Sequence, residues 1–378
     1  MSLPQIIAWK WLRSGDEAFP ALLAALDGAG ESIRLETYIF ANDMLGLRFR
    51  DALVRARERG VVVSVLVDAI GSMGLPGDFW SSLTAAGGAV RVFNPLALSR
   101  LAIRDHRKLV VCDERVAFVG GFNIAAEYEG DGVARGWRDL GLQLEGPLAV
   151  ELAVAFDEMF ARAEFRHKRP RRWRRGGRRH QVFSAGVQLL LGGPGIGRNP
   201  IRRALRTDLA AARAVQAMAA YFLPPWSLRR DFGRVTRRGG KVQFVLAGKS
   251  DVALAQLAAR SLYQRLLKSG AEIYEYAPQV LHAKLIVVDD AVYVGSANLD
   301  PRSLGINYEL MLRLTHPPLV AEAREIFGAA LAQGRRIEFG AWKHARSFWT
   351  RLKERWAYFV LARVDPHVAR RQWRALPE

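Results

Sequence analysis

Apolar residues along the chain fall into two rhythms that take turns. Residues 32–40, SIRLETYIF, alternate in the manner of a strand with one covered face, and residues 61–68, VVVSVLVD, form an unbroken apolar run typical of a strand covered on both faces. Between them, Leu45, Phe49, Leu53 and Val54 recur at helical spacing, which predicts a helix over 43–60 closed by Gly60. Ser14-Gly-Asp-Glu ahead of AFPALLAALDGA predicts a capped amphipathic helix, and residues 79–86 a further helix leading to the strand VRVF. The same order returns after residue 190. Helices are predicted over 199–219, 228–238 and 252–269; KVQFVLAG stands where VVVSVLVD stood, and EIYEY where VRVF did. Tyr221-Phe222-Leu223 echoes Tyr38-Ile39-Phe40. Strand–helix alternation of this kind predicts an α/β sandwich in each half. GGPGIG at residues 192–197 lacks both the P-loop ending and the dinucleotide-binding context, and reads as a loop.

Each half closes on a hairpin that carries polar residues in a fixed pattern. In residues 281–300, LHAKLIVVDDAVYVGSANLD, His282 and Lys284 are two apart and share a face of an extended strand. Asp289, an odd number of residues on, falls on the opposite face, and Asp289-Asp290 reads as the turn. The returning strand ends in Gly295-Ser296, where a missing side chain and a hydroxyl let the backbone approach an anion, and Asn298 adds an amide. Residues 105–123, DHRKLVVCDERVAFVGGFN, repeat the arrangement with His106, Lys108, Asp113, Gly120-Gly121 and Asn123. The second hairpin is one residue tighter. An imidazole, an ammonium and an amide converging twice predict two half-sites brought together around one phosphate.

His-x-Lys-x-x-x-x-Asp followed by Gly-Gly/Ser-x-Asn, twice in one chain, resembles the phospholipase D superfamily, and within it the bacterial cardiolipin synthases that lack N-terminal transmembrane helices. The likeness runs over roughly residues 15 to 330. It implies two tandem phospholipase D-like α/β/α sandwich domains with the active site at their interface. The boundaries expected are a first domain at 1–164, a basic linker at 165–182, a second domain at 183–334 and a C-terminal tail at 335–378. It also implies a phosphohistidine mechanism with His106 as nucleophile by precedent and His282 as acid/base; the sequence itself does not separate the two. Lys108, Lys284, Asn123 and Asn298 would hold the non-bridging oxygens. Asp113 and Asp289 are often grouped with the catalytic set, but strand parity gives them a structural role in fixing the hairpins. Each histidine needs a carboxylate to orient it, and Asp139 in WRDL and Glu309 in NYEL match the family's positions for this, with the pairing left open. No His/Cys/Asp cluster has metal-ligand spacing, so neither metal nor cofactor is expected.

Charge and composition bear on the partner. In 378 residues there are 56 Lys and Arg against 37 Asp and Glu, a net charge of +19, which calls for an anionic partner. Residues 166–179, RHKRPRRWRRGGRR, hold nine basic residues and no acid and cannot pack into a core. They read as a solvated linker that is also drawn to anionic headgroups, at about 1 kcal/mol per residue near such a surface. The tail sets Trp342, Phe348, Trp349, Leu352, Trp356, Phe359 and Val360 against Lys343, Arg346, Arg351, Lys353 and Arg355. That is the composition of an interfacial helix, with docking on the core as the alternative. No cleavage-like site follows the apolar run in residues 1–13, and no span of about 18 to 20 apolar residues occurs. The expectation is therefore peripheral attachment to the cytoplasmic side of the cell membrane. The single cysteine, Cys112, is expected in the core. The leading function is a phosphatidyltransferase moving a phosphatidyl group from phosphatidylglycerol, or a related phospholipid, to the hydroxyl of a second phospholipid and releasing a small alcohol, with phosphatidylglycerol and phosphatidylethanolamine as candidate substrates. A phospholipase D-type phosphodiesterase or nuclease is the enzyme alternative, and a binding module with a decayed site the non-enzyme one. The Trp-rich tail and Ala/Gly/Leu-rich surroundings favour lipid over nucleic acid, and no nucleic-acid partner is expected.

Overall fold

Strands form where β-branched and aliphatic residues run together, and helices where the apolar positions open to a spacing of three and four. The computed structural model describes residues 6–95, 102–163, 180–184, 186–194 and 199–374. The first half contains β1 (Ala8–Leu12), α1 (Gly15–Gly28), β2 (Ser32–Thr37), α2 (Met44–Glu58), β3 (Val62–Asp68), α3 (Ser81–Ala85), β4 (Ala89–Phe93), β5 (Leu109–Cys112), β6 (Val116–Gly120), β7 (Gly141–Glu145) and α4 (Leu148–Ala161). The second contains β8 (His180–Ser184), β9 (Val187–Gly192), α5 (Pro200–Leu209), β10 (Ala214–Ala219), α6 (Trp226–Arg237), β11 (Lys241–Ala247), α7 (Ala253–Lys268), β12 (Glu272–Tyr276), β13 (Lys284–Val288), β14 (Ala291–Gly295), β15 (Glu309–Leu314), α8 (Pro317–Ala332) and β16 (Gly334–Arg336). After it come α9 (Phe339–His344), α10 (Phe348–Phe359), a π turn (Val360–Val364) and α11 (Asp365–Arg374).

The two sheets repeat one topology. The first runs β1-β7-β6-β5-β2-β3-β4 and the second β16-β12-β11-β10-β13-β14-β15-β9-β8. Read from the opposite end, β15-β14-β13-β10-β11-β12 matches β7-β6-β5-β2-β3-β4 strand for strand. In each, three parallel strands are followed by an antiparallel hairpin. The inner faces of both sheets, with α4 and α8, share one continuous apolar core that joins the halves. The outer faces carry separate cores, one under α1 and α2 and one under α5, α6 and α7. Cys112 lies in the first of these, and burial pushes its thiol up to about 12.

Several sequence expectations are corrected. The helix predicted over 199–219 stops at Leu209, and residues 214–219 form β10 instead. AVQAMA is helix-prone by composition, but its place between β11 and β13 satisfies its backbone on both sides, and the ladder overrides propensity. Ser14 stands at the start of α1 without a side-chain cap bond; Asp43 does cap α2, accepting from the Gly46 amide at 2.8 Å. The edge strands β1, β8 and β16, and β9 next to β8, carried no signal strong enough to be predicted. The expected basic linker, residues 165–182, lies outside the described residues as far as 179, and β8 already begins at His180. Of the glycine-rich stretch at 192–197, Gly192 ends β9 and residues 195–197 lie outside the described residues.

The two hairpins differ as their lengths require. Cys112 faces Val116 across three loop residues, with Asp113 and Glu114 at φ 53° and 52°, whereas Val288 faces Ala291 across two, with Asp289 at φ 44°. These positive values are ones Asp tolerates better than most residues. The Asp113 carboxylate accepts from the amides of Gly30, Glu31 and Ser32 at 2.8–2.9 Å, tying the hairpin to the start of β2. Asp289 accepts in the same way from Arg213 and Ala214 at 3.1 and 2.8 Å, ahead of β10. Asp113→Asn is expected to cost about 1 kcal/mol of stability, since an amide presents N–H to N–H where an oxygen accepted. Turnover per folded molecule should change less than the melting temperature does. A variant with unchanged melting temperature and no activity would show instead that Asp113 takes part in the chemistry.

Candidate active site

The site forms where the ends of the two hairpins meet across the shared core. The chain just before β5 and just before β13 is clamped to the opposite half by main-chain bonds. His106 N donates to Tyr308 O at 3.0 Å, and His282 N donates to Arg138 O at 2.7 Å. Tyr308 precedes Glu309 and Arg138 precedes Asp139, so each clamp delivers a carboxylate to the other half's histidine. His106 Nδ1 lies 3.1 Å from the Glu309 carboxylate, and His282 Nδ1 lies 2.6 Å from Asp139 Oδ2. The pairing left open by the sequence is thus crossed between halves. All four residues are buried, both carboxylates completely.

The glycine and serine ending each hairpin serve these carboxylates. A Cβ on Gly121 would lie 2.1 Å from Asp139 Oδ1, so only glycine leaves room for that carboxylate. At the matching place in the second half, the Ser296 hydroxyl donates to Glu309 Oε2. The anion that the sequence pattern accommodates at these positions is the protein's own.

The remaining predicted residues converge on the same spot. Lys108 Nζ donates to His106 O at 2.7 Å and stands 5.3 Å from the centre of the Tyr38 ring. Lys284 Nζ donates to His282 O and lies 2.8 Å from His282 Nδ1. Asn123 Oδ1 accepts from Ile39 N at 3.1 Å, and Asn298 Oδ1 accepts from Tyr221 N at 3.4 Å, so both amides brace the end of the adjacent parallel strand. Asp113 and Asp289, bonded at the hairpin turns, stand apart from this group.

Aromatic residues that the motifs did not single out complete the walls. The Tyr128 hydroxyl accepts from Asn123 Nδ2 at 2.6 Å and lies 3.4 Å from His282 Nε2, the nitrogen that Asp139 does not engage. Tyr128, Trp137 and Tyr221 surround the His282 ring with centroids at 5.2, 5.8 and 6.4 Å, while Tyr38 lies 5.1 Å from the His106 ring. Tyr38 and Tyr221 occur at matching places in both halves, a signal the sequence did contain. Tyr128 has no such mark, since Ser303 stands at its distance beyond Asn298.

Burial governs the electrostatics. It pushes His106 down to about 4 against the pull of Glu309, and Lys108 down to about 7 with help from Lys284. His282 and Lys284 are lowered for the same first cause, dehydration of a charged form. Burial alone would raise Asp139 and Glu309, yet the neighbouring Lys284, His282, His106 and Lys108 hold both below the ordinary carboxylate range. At neutral pH the result is two carboxylates and, at His106, an uncharged imidazole whose Nε2 can attack an electrophile, while His282 turns Nε2 toward the Tyr128 hydroxyl and the Lys284 ammonium. The halves also differ. Asp105 and Arg107 flank His106, and Arg107 lies 3.8 Å from the buried Glu36, whereas Leu281 and Ala283 flank His282. Among the described residues, no group of three His, Cys, Asp or Glu is placed to hold a metal ion.

A doubled α/β sandwich with paired His-x-Lys motifs at its seam defines a phospholipase D-like protein. The fold is that of a phosphatidylserine synthase from Haemophilus influenzae, with a TM-score of 0.74 at 15% identity, covering 96% of this chain and 95% of that one. Residues 22–160 and 205–331 match the family described as "Cardiolipin synthase, PLD-like domain". Cardiolipin synthase B of Salmonella typhimurium is 34% identical over 308 residues, 80% of this chain and 75% of the relative. The major cardiolipin synthase ClsA of Bacillus subtilis is 33% identical over 353 residues, 91% of this chain and 72% of the relative. The chain belongs to the cardiolipin synthase family of phospholipase D-like proteins.

Proposed function

We propose that the protein is a phosphatidyltransferase that moves a phosphatidyl group from phosphatidylglycerol to the hydroxyl of a second phospholipid, making cardiolipin or a close analogue. The observation that carries this reading is the crossed pair of buried His–carboxylate couples with two lysines between them. His106 Nε2 attacks phosphorus, forming a P–N bond as the P–O bond to glycerol breaks, and His282, whose imidazolium form Asp139 and the arriving phosphate favour, gives the leaving oxygen its Nε2 proton. His282 then takes the proton from the incoming hydroxyl as its oxygen displaces His106. The lysines hold the non-bridging oxygens, and an arriving phosphate favours their charged forms. The Tyr128 hydroxyl beside His282 Nε2 supports the division of labour: a hydroxyl can accept from a protonated Nε2 or donate to a bare one, as the two states of an acid/base require.

Incubation of the purified protein with labelled phosphatidylglycerol, with and without phosphatidylethanolamine, tests the reading. Labelled cardiolipin with release of glycerol is expected. Phosphatidic acid as the sole product would make the protein a hydrolase, and cleavage of DNA without turnover of lipid would make it a nuclease.

The same reading places the protein at a membrane surface. Among the described residues, no helix is long and apolar enough to cross a membrane. The tail supports attachment from one side, and it combines both arrangements that its sequence allowed. The α10 helix packs on α7 through buried Ala357 and Glu354, and Trp342 lies on Tyr263 at 5.0 Å. The opposite face of α10 presents Phe348, Trp349, Leu352, Trp356 and Phe359, with Trp349 68% and Trp356 60% exposed. Arg351, Lys353 and Arg355 sit beside them, the pattern of a helix lying in a headgroup layer. Arg346, by contrast, is bound to Glu354 rather than facing outward. Because Glu354 and Ala357 are buried, substitution is a cleaner test than truncation. Changing Trp349, Trp356 and Phe359 together to Ser is expected to weaken binding to phosphatidylglycerol vesicles at least tenfold, leaving an interaction that high salt abolishes. Unchanged co-sedimentation at every lipid composition and salt concentration would remove the tail from the membrane contact.

A further inference from the structure

Beneath the tail lies a cavity of about 230 Å³ with mostly apolar walls, formed by Phe222, Leu223, Val252, Ala255, Pro301 and Leu361 together with Asp300, Arg302 and Asp365. That volume is less than a whole small-molecule site and suits part of an acyl chain, and its apolar walls recognise carbon rather than a headgroup. At one end stands Tyr221. Its hydroxyl donates to Asp251 at 2.6 Å, its amide bonds Asn298, and its ring meets the His282 ring edge-on at 6.4 Å. This end of the cavity therefore adjoins the reacting centre.

The other end continues outward. Leu223 and Pro301 also wall a surface groove of about 700 Å³ that reaches Trp226, Tyr358 and Phe359. Trp226 is 63% exposed, and Phe359 belongs to the outward apolar face of α10. The two spaces share Leu223 and Pro301, so a path leads from that face, under the tail, to the ring beside His282, mixed in character outside and apolar within. Arg202, Arg229 and Arg363 border its outer part. The tail that roofs the path is fastened by Asp365, whose carboxylate takes two bonds from Arg302 at 2.6 and 2.7 Å.

We propose that this path is the binding site for one acyl chain of the phospholipid substrate, drawn from the bilayer at α10 and ending at Tyr221 with the phosphate between the two histidines. The proposal rests on the phosphatidyltransferase reading and adds where the chain lies. A chain needs no hydrogen-bonding partner, and each methylene buried contributes roughly a fourfold gain in affinity. The site therefore selects by chain length.

Two measurements on the full chain test this. In mixed micelles, kcat/KM for phosphatidylglycerol should rise as the chains lengthen from six carbons and level off once the cavity is filled. In Ala255→Phe and Leu361→Trp the ratio of long-chain to short-chain kcat/KM should collapse at least tenfold. Independently, phosphatidylglycerol bearing a diazirine in the half of a chain nearer the headgroup should label the unsubstituted protein on peptides containing Leu223, Ala255 or Leu361. An unaltered chain-length ratio in both folded variants, or labelling confined to the outer face of α10, would overturn the proposal. Labelling within the cavity by a lipid that the protein never turns over would support the chain site and count against the transferase reading.

Discussion

His106→Ala and His282→Ala should each reduce transfer by on the order of 10⁴-fold or more, because each removes a group that makes or breaks a bond to phosphorus or carries the proton that accompanies it. The two losses should differ in kind. With a donor whose leaving group needs no proton, such as a nitrophenyl phosphatidyl ester, the His282→Ala protein should still be attacked by His106 and then stall, since nothing deprotonates the incoming alcohol. Mass spectrometry after rapid quench should find the phosphatidyl group on His106. An adduct on His282 in the His106→Ala protein, with none in the converse variant, would reverse the assignment. Burial pushes His106 down to about 4, so the nucleophile stays unprotonated through the neutral range. Any acid limb it imposes on donor attack by the free enzyme should lie near that value rather than near 6.5.

Asp139→Asn and Glu309→Gln should be the next most damaging changes, each costing roughly 10³- to 10⁴-fold. An amide in place of the carboxylate no longer fixes the tautomer or stabilises the imidazolium. The crossed contacts predict which pairs behave as a unit. Asp139→Asn should add little once His282 is gone, and Glu309→Gln little once His106 is gone, because the carboxylate in each case acts through that ring. Measured kcat/KM for the two single and two double variants of each pair decides this. If Asp139→Asn were silent in the His106→Ala background and fully additive in the His282→Ala background, the pairing would be the reverse of the one described.

The sequence carried most of what local pattern can carry. His-x-Lys twice, followed by Gly-Gly/Ser-x-Asn, marked both half-sites and the duplication, because those spacings are set within a single hairpin. Parity along the strand separated Asp113 and Asp289 from the histidines, although β13 begins only at Lys284 and His282 lies just outside it. Asp139 and Glu309 could be proposed by position but not assigned, since their partners lie 143 and 203 residues away and are fixed by how the halves dock. Tyr128 and Trp137 escaped notice for the same reason: nothing near them in the chain says that His282 is their neighbour. The alanine-rich stretch at β10 misled because helix propensity is local whereas membership of a central strand is not. The tail's two readings looked exclusive as sequence, but the packing of Ala357 against the core leaves the aromatic face of the same helix exposed.

The crossing of carboxylates bears on how such a chain can change over generations. A duplicated segment ordinarily frees one copy to drift while the other keeps working. Here the carboxylate of each copy orients the histidine of the other, and each histidine's amide is bonded to the opposite copy's main chain. If those rings do the chemistry proposed for them, a lapse in either copy disables the ring in its twin. Selection would then act on the two copies as one inherited unit, and a substitution tolerated in the first would be judged by its effect in the second.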